Sequence, residues 1–283
     1  VIQVNDPNGT QVDRGGAMAK VRIQKLLSES GVASRRAVED MILNGRVTVN
    51  GELVTSLPCF VDPREDEIRV DNRPVRKRPA EPLYFLLNKP KGVVSTQSDE
   101  RGRPRAVDLL PIGGDQRVYS VGGLDAETTG LVLLTNDGEL TQMLTHPRHG
   151  VARKYVAEID GQLTPEQIAE LKQGVRIEGQ RQAGLNVRVE LSSPVRSFVE
   201  LELTSPRHVD IRRSLDQLGH PVKRLKRVTI GPLSDKGLKV GHHRPLTPRE
   251  VEQLKAIVRV GGGKGRSRRR GRPAGRSRPP KRD

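Results

Sequence analysis

The 283-residue sequence predicts an α+β protein: a small N-terminal domain, a larger second domain and a basic tail. Three observations carry this expectation. Helical spacing gives way to short alternating runs within residues 20–78. Strand and helix patterns then mix irregularly over residues 83–258, without a βαβ rhythm, so the main sheet should be largely antiparallel. Both ends lack any apolar period, which assigns residues 1–19 to a disordered leader and 259–283 to a disordered tail.

The elements follow in order. Ile23, Leu26 and Leu27 sit at helical spacing over Arg22–Ser30, closed by Gly31. Ser34 is suited to cap a second helix with Val38, Met41 and Ile42 on its apolar face, ending at Gly45. Val47 and Val49 alternate into the hairpin signal Asn50-Gly51, and Ile68–Val70 reads as a strand running into a turn at Asp71-Asn72. A Pro-, Arg- and Lys-rich stretch follows, with the linker placed at 79–82.

The second domain opens with Tyr84–Lys89 as a strand, a Lys-Pro-x-Gly turn, and Val93–Ser95 as its return strand. Strands are expected at Leu131–Leu134, Val151–Ile159, near Val187–Leu191, Phe198–Leu203 and Arg227–Ile230. Helices are expected at Gly138–Leu144, at Pro165–Gln173 and from a Ser205-Pro206 start to Leu218.

Charge narrows the partners. The net charge is +16, of which residues 261–283 carry +9, leaving +7 for the rest. A polyanion is therefore the leading partner class. The single cysteine, Cys59, excludes an internal disulfide and a cysteine-based metal cluster. No apolar run is long enough to span a membrane, and the histidines lack metal-ligand spacing. A cytoplasmic monomer is expected. With only three Phe, three Tyr and no Trp, at most one or two rings can stack on bases.

Arg22-x-Gln24-Lys25-Leu26, Gly31-x-x-Ser34-Arg35-Arg36 and Gly45-Arg46-Val47-x-Val49-Asn50-Gly51 together resemble the S-four-type RNA-binding domain. The resemblance implies RNA contact by Arg22, Lys25, Ser34, Arg35, Arg36 and Arg46. Arg35 and Arg36 add a physical hint, because the first turn of a helix disfavours cations. They read either as a solvated face or as a phosphate-pairing fork.

Gly122-Gly123-Leu124-Asp125-Ala126-Glu127-Thr128-Thr129-Gly130, followed by Leu131–Leu134 and Thr135-Asn136-Asp137-Gly138, resembles the catalytic-aspartate motif of RsuA/RluB-type pseudouridine synthases. One position departs: Gly123 stands where the family has an arginine that helps hold the RNA backbone. The resemblance implies the pseudouridine-synthase fold and isomerisation of a uridine in ribosomal RNA without a cofactor. The substrate would be a stem-loop, and the basic tail leans the reading toward the large subunit.

A loop aspartate beside glycines is ordinarily a turn or cap residue. The resemblance makes Asp125 the catalytic carboxylate, acting either on the sugar carbon or on the neighbouring sugar proton. An ionised aspartate in a water-poor pocket needs a cation, and the family pattern gives that place to Arg212. The ordinary alternative for Arg212 is a surface pair with Asp216. Tyr155 alternates with Val151, Ala157 and Ile159 on one strand face and reads as core; the family's tyrosine there stacks on the target uracil. Lys89, Arg153, Lys154 and Arg213 complete the expected RNA contacts. A catalytically impaired RNA-binding assembly factor on the same scaffold is the alternative function.

Overall fold

The computed structural model describes residues 4–5, 10–12, 20–75, 81–113, 116–204 and 209–261. In chain order it begins with strands β1 (Val4–Asn5), β2 (Thr10–Val12) and β3 (Lys20–Arg22), then helices α1 (Ile23–Glu29) and α2 (Arg35–Leu43). Strands β4 (Val47–Val49), β5 (Glu52–Leu53), β6 (Phe60–Val61), β7 (Ile68–Val70) and β8 (Arg73–Pro74) complete the first domain. The helices form as the spacing requires: Ile23, Leu27, Val38 and Ile42 are fully buried in one cluster with Val47, Val61 and Ile68. The Ser34 hydroxyl accepts the Ala37 amide at 3.2 Å, capping α2. Asn50 and Gly51 both take positive φ (54° and 84°), the geometry of a two-residue hairpin turn.

Two expectations change here. Val4 pairs with Val12 and Thr10 with Val21, so the leader contributes strands β1 and β2 to a four-stranded sheet with β3 and β6. Val4, Thr10 and Val12 favour strands but stand in a polar stretch, which hides them from any apolar period. The rest of the leader lies outside the described residues. Arg73 and Pro74 add strand β8 to β7, before the linker begins.

The second domain comprises β9 (Tyr84–Lys89), β10 (Tyr119–Ser120), β11 (Thr129–Thr135), α3 (Gly138–Thr145), β12 (Arg153–Asp160) and α4 (Pro165–Gln173). There follow β13 (Arg176–Ile177), β14 (Gln180–Arg181), β15 (Asn186–Ser192), β16 (Arg196–Leu203) and α5 (Val209–Gln217). The chain then forms β17 (Val222–Ile230), β18 (Leu233–Ser234), β19 (His243–Pro245) and α6 (Pro248–Gly261). The main sheet runs β15-β16-β12-β17-β11-β9-β19, with β10 on β11 and β18 on β17. Every pairing in it is antiparallel except β11 with β17. The largely antiparallel α+β architecture expected from the sequence is therefore present.

Val93–Ser95 does not return along β9. Val94 instead bridges Arg105, and β9 pairs through all six residues with β11. A continuous apolar run such as Leu131–Leu134 suits a central strand buried on both faces, and it displaces the local hairpin. Helix α6 also runs past the expected start of the tail; the remainder of the tail lies outside the described residues, as does the Ser205-Pro206 cap. Alternation along β11 divides the core into two layers. Val132 and Leu134 join Leu87, Tyr155 and α5 on one face, while Leu131 and Leu133 join Leu86, α3 and α6 on the other.

The segment after β11 ties the parts together. Asn136 Nδ2 donates to the Glu81 carbonyl at 2.8 Å, and its Oδ1 accepts the Leu83 amide at 2.8 Å, fixing the end of the linker. Asp137 caps α3 through the Leu140 amide and accepts the Tyr84 hydroxyl at 2.7 Å. Arg117 Nη1 donates to the Val32 carbonyl, a direct bond between the domains.

The single parallel pairing sets Gly130 against Arg227. A Cβ on Gly130 would lie on top of the Arg227 carbonyl oxygen, and its φ is +103°. Gly130→Ala is thus expected to force β11 from β17 and cost about 3 kcal/mol or more. Urea unfolding monitored by circular dichroism checks this; a loss under about 0.5 kcal/mol would show the junction to be slack.

Candidate active site

The loop Gly122–Thr128 leads into β11 at the parallel junction. Leu124 is buried in the same core cluster as Tyr155, Ile211 and Leu215, which anchors the loop beside α5. The Leu124 amide donates to the Ser95 hydroxyl at 3.1 Å, and the Gly92 amide to the Ala126 carbonyl at 2.8 Å. The Lys-Pro-x-Gly turn therefore braces the Asp125 loop from below. Asp125 is half-buried, and its Oδ1 accepts the Thr128 amide at 2.6 Å.

Thr128 is fully buried and connects Asp125 to α5. Its hydroxyl accepts Arg212 Nη2 at 3.4 Å, while Arg212 Nη1 donates to the Val222 carbonyl at 3.2 Å. Arg212 Nε is buried with no hydrogen-bond partner among the described residues. The i,i+4 alternative does not form: no Arg212–Asp216 ion pair occurs among the described residues, and Arg212 turns inward to Thr128 instead. The structure thus brings Asp125 and Arg212 to either side of one threonine.

Tyr155 is fully buried, with Arg227 Nη1 at 3.5 Å from its hydroxyl, the outer limit of a hydrogen bond. In this conformation its ring is core, as strand alternation dictates. Arg227 ends the basic run Lys223-Arg224-Leu225-Lys226-Arg227, which reads in the sequence as a charged surface, but it is buried beside Tyr155. It is 2% exposed, its Nε donates to the Leu131 carbonyl at 2.6 Å, and its Nη2 has no partner among the described residues. The signal for it was available, since Arg227 lies two positions from the core residue Leu225 on the same strand.

Lys89 is fully buried, donating to the Val93 carbonyl at 2.7 Å and the Pro90 carbonyl at 3.1 Å. It cannot reach an RNA phosphate from there. Burial pushes its ammonium down to about 8; the nearby Asp125 carboxylate opposes that fall and Arg227 adds to it. Lys89 is accordingly a buried neighbour of Asp125 rather than a surface contact.

Arg153 also departs from the expectation. It is 4% exposed, its guanidinium donates to the Val151 and Leu144 carbonyls at 3.0 and 2.7 Å, and burial lowers its pKa. Two positions before Tyr155 on a strand, it shares the inward face. Lys154 faces the opposite way and is held by Glu200 at 2.9 Å and Glu202 at 3.9 Å. Arg213 is exposed on α5.

In the first domain, Arg36 is exposed, and Arg22 lies 5.9 Å from the Phe60 ring centre. Lys25 is 4.0 Å from Glu29, and Arg46 forms a two-pronged pair with Asp71 at 2.8 and 2.6 Å. Arg35 is exposed but close to the second domain. The Glu29 carboxyl is raised by burial; Lys25 and Arg35 oppose this, while Asp137 and Glu139 of the second domain add to it. Helices α1 and α2 thus lie against the start of α3, and Arg35 offsets acids there.

Fold and site together define an RNA-modifying isomerase with an appended RNA-binding domain. The family model described as RNA pseudouridylate synthase matches residues 83–217, and the S4 domain model matches residues 21–58. The ribosomal large subunit pseudouridine synthase B of Bacillus subtilis is 38% identical over 239 residues, covering 84% of this chain and 96% of that one. An uncharacterized RNA pseudouridine synthase of Mycobacterium leprae is 39% identical over 256 residues, 90% of this chain and 98% of the other. A crystal structure of a pseudouridylate synthase superposes with a TM-score of 0.58 at 29% identity, covering 82% of this chain and 99% of its own. The chain belongs to the RNA pseudouridine synthase family and is of the RsuA/RluB type, with an N-terminal S4 domain.

Lys89 generates a pH prediction for stability. Below pH 8 its ammonium is charged both folded and unfolded, so the burial penalty is fully present. Between about 8 and 10.5 the folded chain binds fewer protons, so stability rises with pH. Urea midpoints measured from about pH 7.5 to 10 check this, and Lys89→Met should abolish the rise; a wild-type midpoint flat over that range would refute the buried, depressed ammonium.

Proposed function

We propose that this protein converts a specific uridine of ribosomal RNA, in a large-subunit stem-loop, to pseudouridine. The domain limits at residues 20–78 and 83–258 would divide recognition from chemistry, and the enzyme would work as a cytoplasmic monomer. The observation that carries the reading is the Asp125–Thr128–Arg212 arrangement, set within the family's sequence motif and fold. The names of the relatives that act on the large ribosomal subunit support the substrate class.

The reaction breaks the bond between N1 of uracil and C1′ of ribose and forms one from C5 to C1′. C5 then loses a proton, while N1 gains one. Asp125 is the carboxylate that attacks the sugar carbon or removes the adjacent sugar proton. The detached uracil is a delocalised anion, so a second carboxylate acid is not required for its departure, unlike the common two-carboxylate glycosidase arrangement. Arg212 supplies a positive charge on the far side of Thr128 from Asp125. Tyr155 supplies the stacking face once the base is flipped, with Arg227 behind its hydroxyl. Lys89 acts as a buried electrostatic support.

Affinity comes from elsewhere. Exposed Arg36 and Arg213 remain open to phosphates, with Arg22, Lys25 and the +9 tail; Ser34 and Arg46 would join them at the domain surface by giving up the α2 cap and the Asp71 pair. Arg35 contributes to the seam between the domains. The impaired alternative finds no better support, because the similar proteins are named as pseudouridine synthases.

Asp125→Asn removes the charge while keeping the Thr128 contact, so the fold should persist and pseudouridine formation should fall at least about 10³-fold. Mapping pseudouridine in each purified ribosomal RNA after incubation with wild type and variant checks this. A variant within tenfold of wild type would sink the catalytic role of Asp125.

Gly123 gives a second test. Its φ is not in the left-handed range, and an added Cβ would meet only the Ser95 Cβ at 3.6 Å, an ordinary contact. Gly123→Arg should therefore fold normally and bind the substrate RNA about three- to tenfold tighter, as one charge-assisted phosphate contact allows. Filter binding at fixed salt measures it, and an unchanged or weaker Kd would show that this loop does not track the backbone.

A further inference from the structure

The sheet face opposite Tyr155 is covered by α3 and α6 over β9, β11 and the Ile230 end of β17, where Leu86, Leu131, Leu133 and Ile230 meet Leu140 and Leu254. Over β12, β16 and the first part of β17 that face lines a groove of about 600 Å³, within the range that holds organic ligands. Its floor includes Val156 and Phe198, and its rim carries Lys91, Lys223, Arg224 and Lys226. Arg196 places its guanidinium 5.7 Å from the Phe198 ring centre. An entering base would meet a ring or a guanidinium plane, both of which stack on nucleobases.

The groove begins where the catalytic loop ends. Glu127, two residues from Asp125, forms part of its wall and pairs with Lys91 at 2.8 Å. Four cations line it, each beside a carboxylate: Lys91 with Glu127, Arg224 with Glu158, Lys223 with Asp160 and Lys226 with Asp235. The Arg224–Glu158 and Lys91–Glu127 pairs are surface pairs, with Arg224 87% and Lys91 69% exposed. Such pairs contribute little to stability and can exchange a carboxylate for a phosphate. The exposed heads of Lys91, Lys223 and Arg224 are placed to take phosphates in place of these carboxylates, which suits an anionic strand.

We propose that this groove is a second RNA site, holding an unpaired nucleotide that flanks the target uridine, its base against Phe198 and its phosphates along Lys223 and Arg224. The RNA would then straddle the Asp125 loop, with the target uridine on one sheet face and a neighbour on the other. The requirement for an unpaired neighbour would select among stem-loops. The inference rests on RNA being the substrate.

The full chain tests it, with a substrate stem-loop carrying 4-thiouridine at each unpaired position in turn. Crosslinking from one flanking position should map to the peptide that contains Phe198. Arg224→Glu should raise the Kd at least fivefold and flatten the slope of log K against log salt by about 0.7. Phe198→Ala should raise the KM for RNA at least fivefold. If Phe198→Ala does not fold, the crosslink and Arg224→Glu decide. Absence of the crosslink, or a Kd for Arg224→Glu within twofold of wild type, overturns the proposal. So does a defect seen on ribosomal particles but not on naked RNA, which would assign the groove to a protein. Pseudouridine formation by the wild type, assayed in the same samples, tests the enzymatic reading separately.

Discussion

The close approach of Gly130 to the Arg227 backbone is the constraint on which the rest of the structure depends. It permits the one parallel pairing in the main sheet and so joins β9 and β11 to β12, β16 and β17. A side chain at 130 has no room, because its first carbon would occupy the Arg227 carbonyl. The catalytic loop enters β11 two residues earlier, at Thr128. Arg227, fixed by the same junction, reaches under Tyr155 and bonds the Leu131 carbonyl. One missing methyl group thereby sets the position of the carboxylate relative to the tyrosine.

Around this junction the protein buries three cations: Lys89, Arg153 and Arg227. Buried charge is costly unless hydrogen-bonded and compensated. Backbone carbonyls supply much of the compensation: Val93 and Pro90 for Lys89, Val151 and Leu144 for Arg153, Leu131 for Arg227. These carbonyls carry no net charge, so the local positive field survives. The depressed Lys89 ammonium records that balance: burial and Arg227 lower it, and Asp125 resists. In the proposed reaction, a field of this sign would favour both the negative charge of the Asp125 carboxylate and the anionic uracil beside it.

Much of this was legible in the sequence because periodicity and the motif agree. The Leu131–Leu134 run, the Ser34 cap and the Asn50-Gly51 turn each state a local preference that the fold keeps. The errors arose where a local signal met a longer-range one. Val93–Ser95 looks like a hairpin return, but β11 offers β9 a fully apolar partner. Arg153 and Lys89 look like surface cations by residue type; strand parity and a buried turn send them inward. Strand parity puts Arg153 on the buried face of β12 with Tyr155 and Ala157. Sequence gave no comparable sign for Lys89, because its burial depends on the Val93 carbonyl and on the loop from Gly122 to Thr128 closing over it.

The buried Tyr155 bears on how substrate enters. Its ring lies in the cluster that contains Leu124 from the catalytic loop and Ile211 and Leu215 from α5. A uracil cannot stack on that ring until some of these contacts separate. Flipping a base costs a few kcal/mol in lost stacking, and parting α5 from the loop adds to it. The family's arginine at position 123 would offset part of this cost from the RNA side. With glycine there, the offset must come from contacts outside the loop: the exposed cations of the first domain and of α5, and the groove beyond Glu127. In the proposed reaction, Gly123 would move the work of opening the site from the Asp125 loop to the surfaces on either side of it.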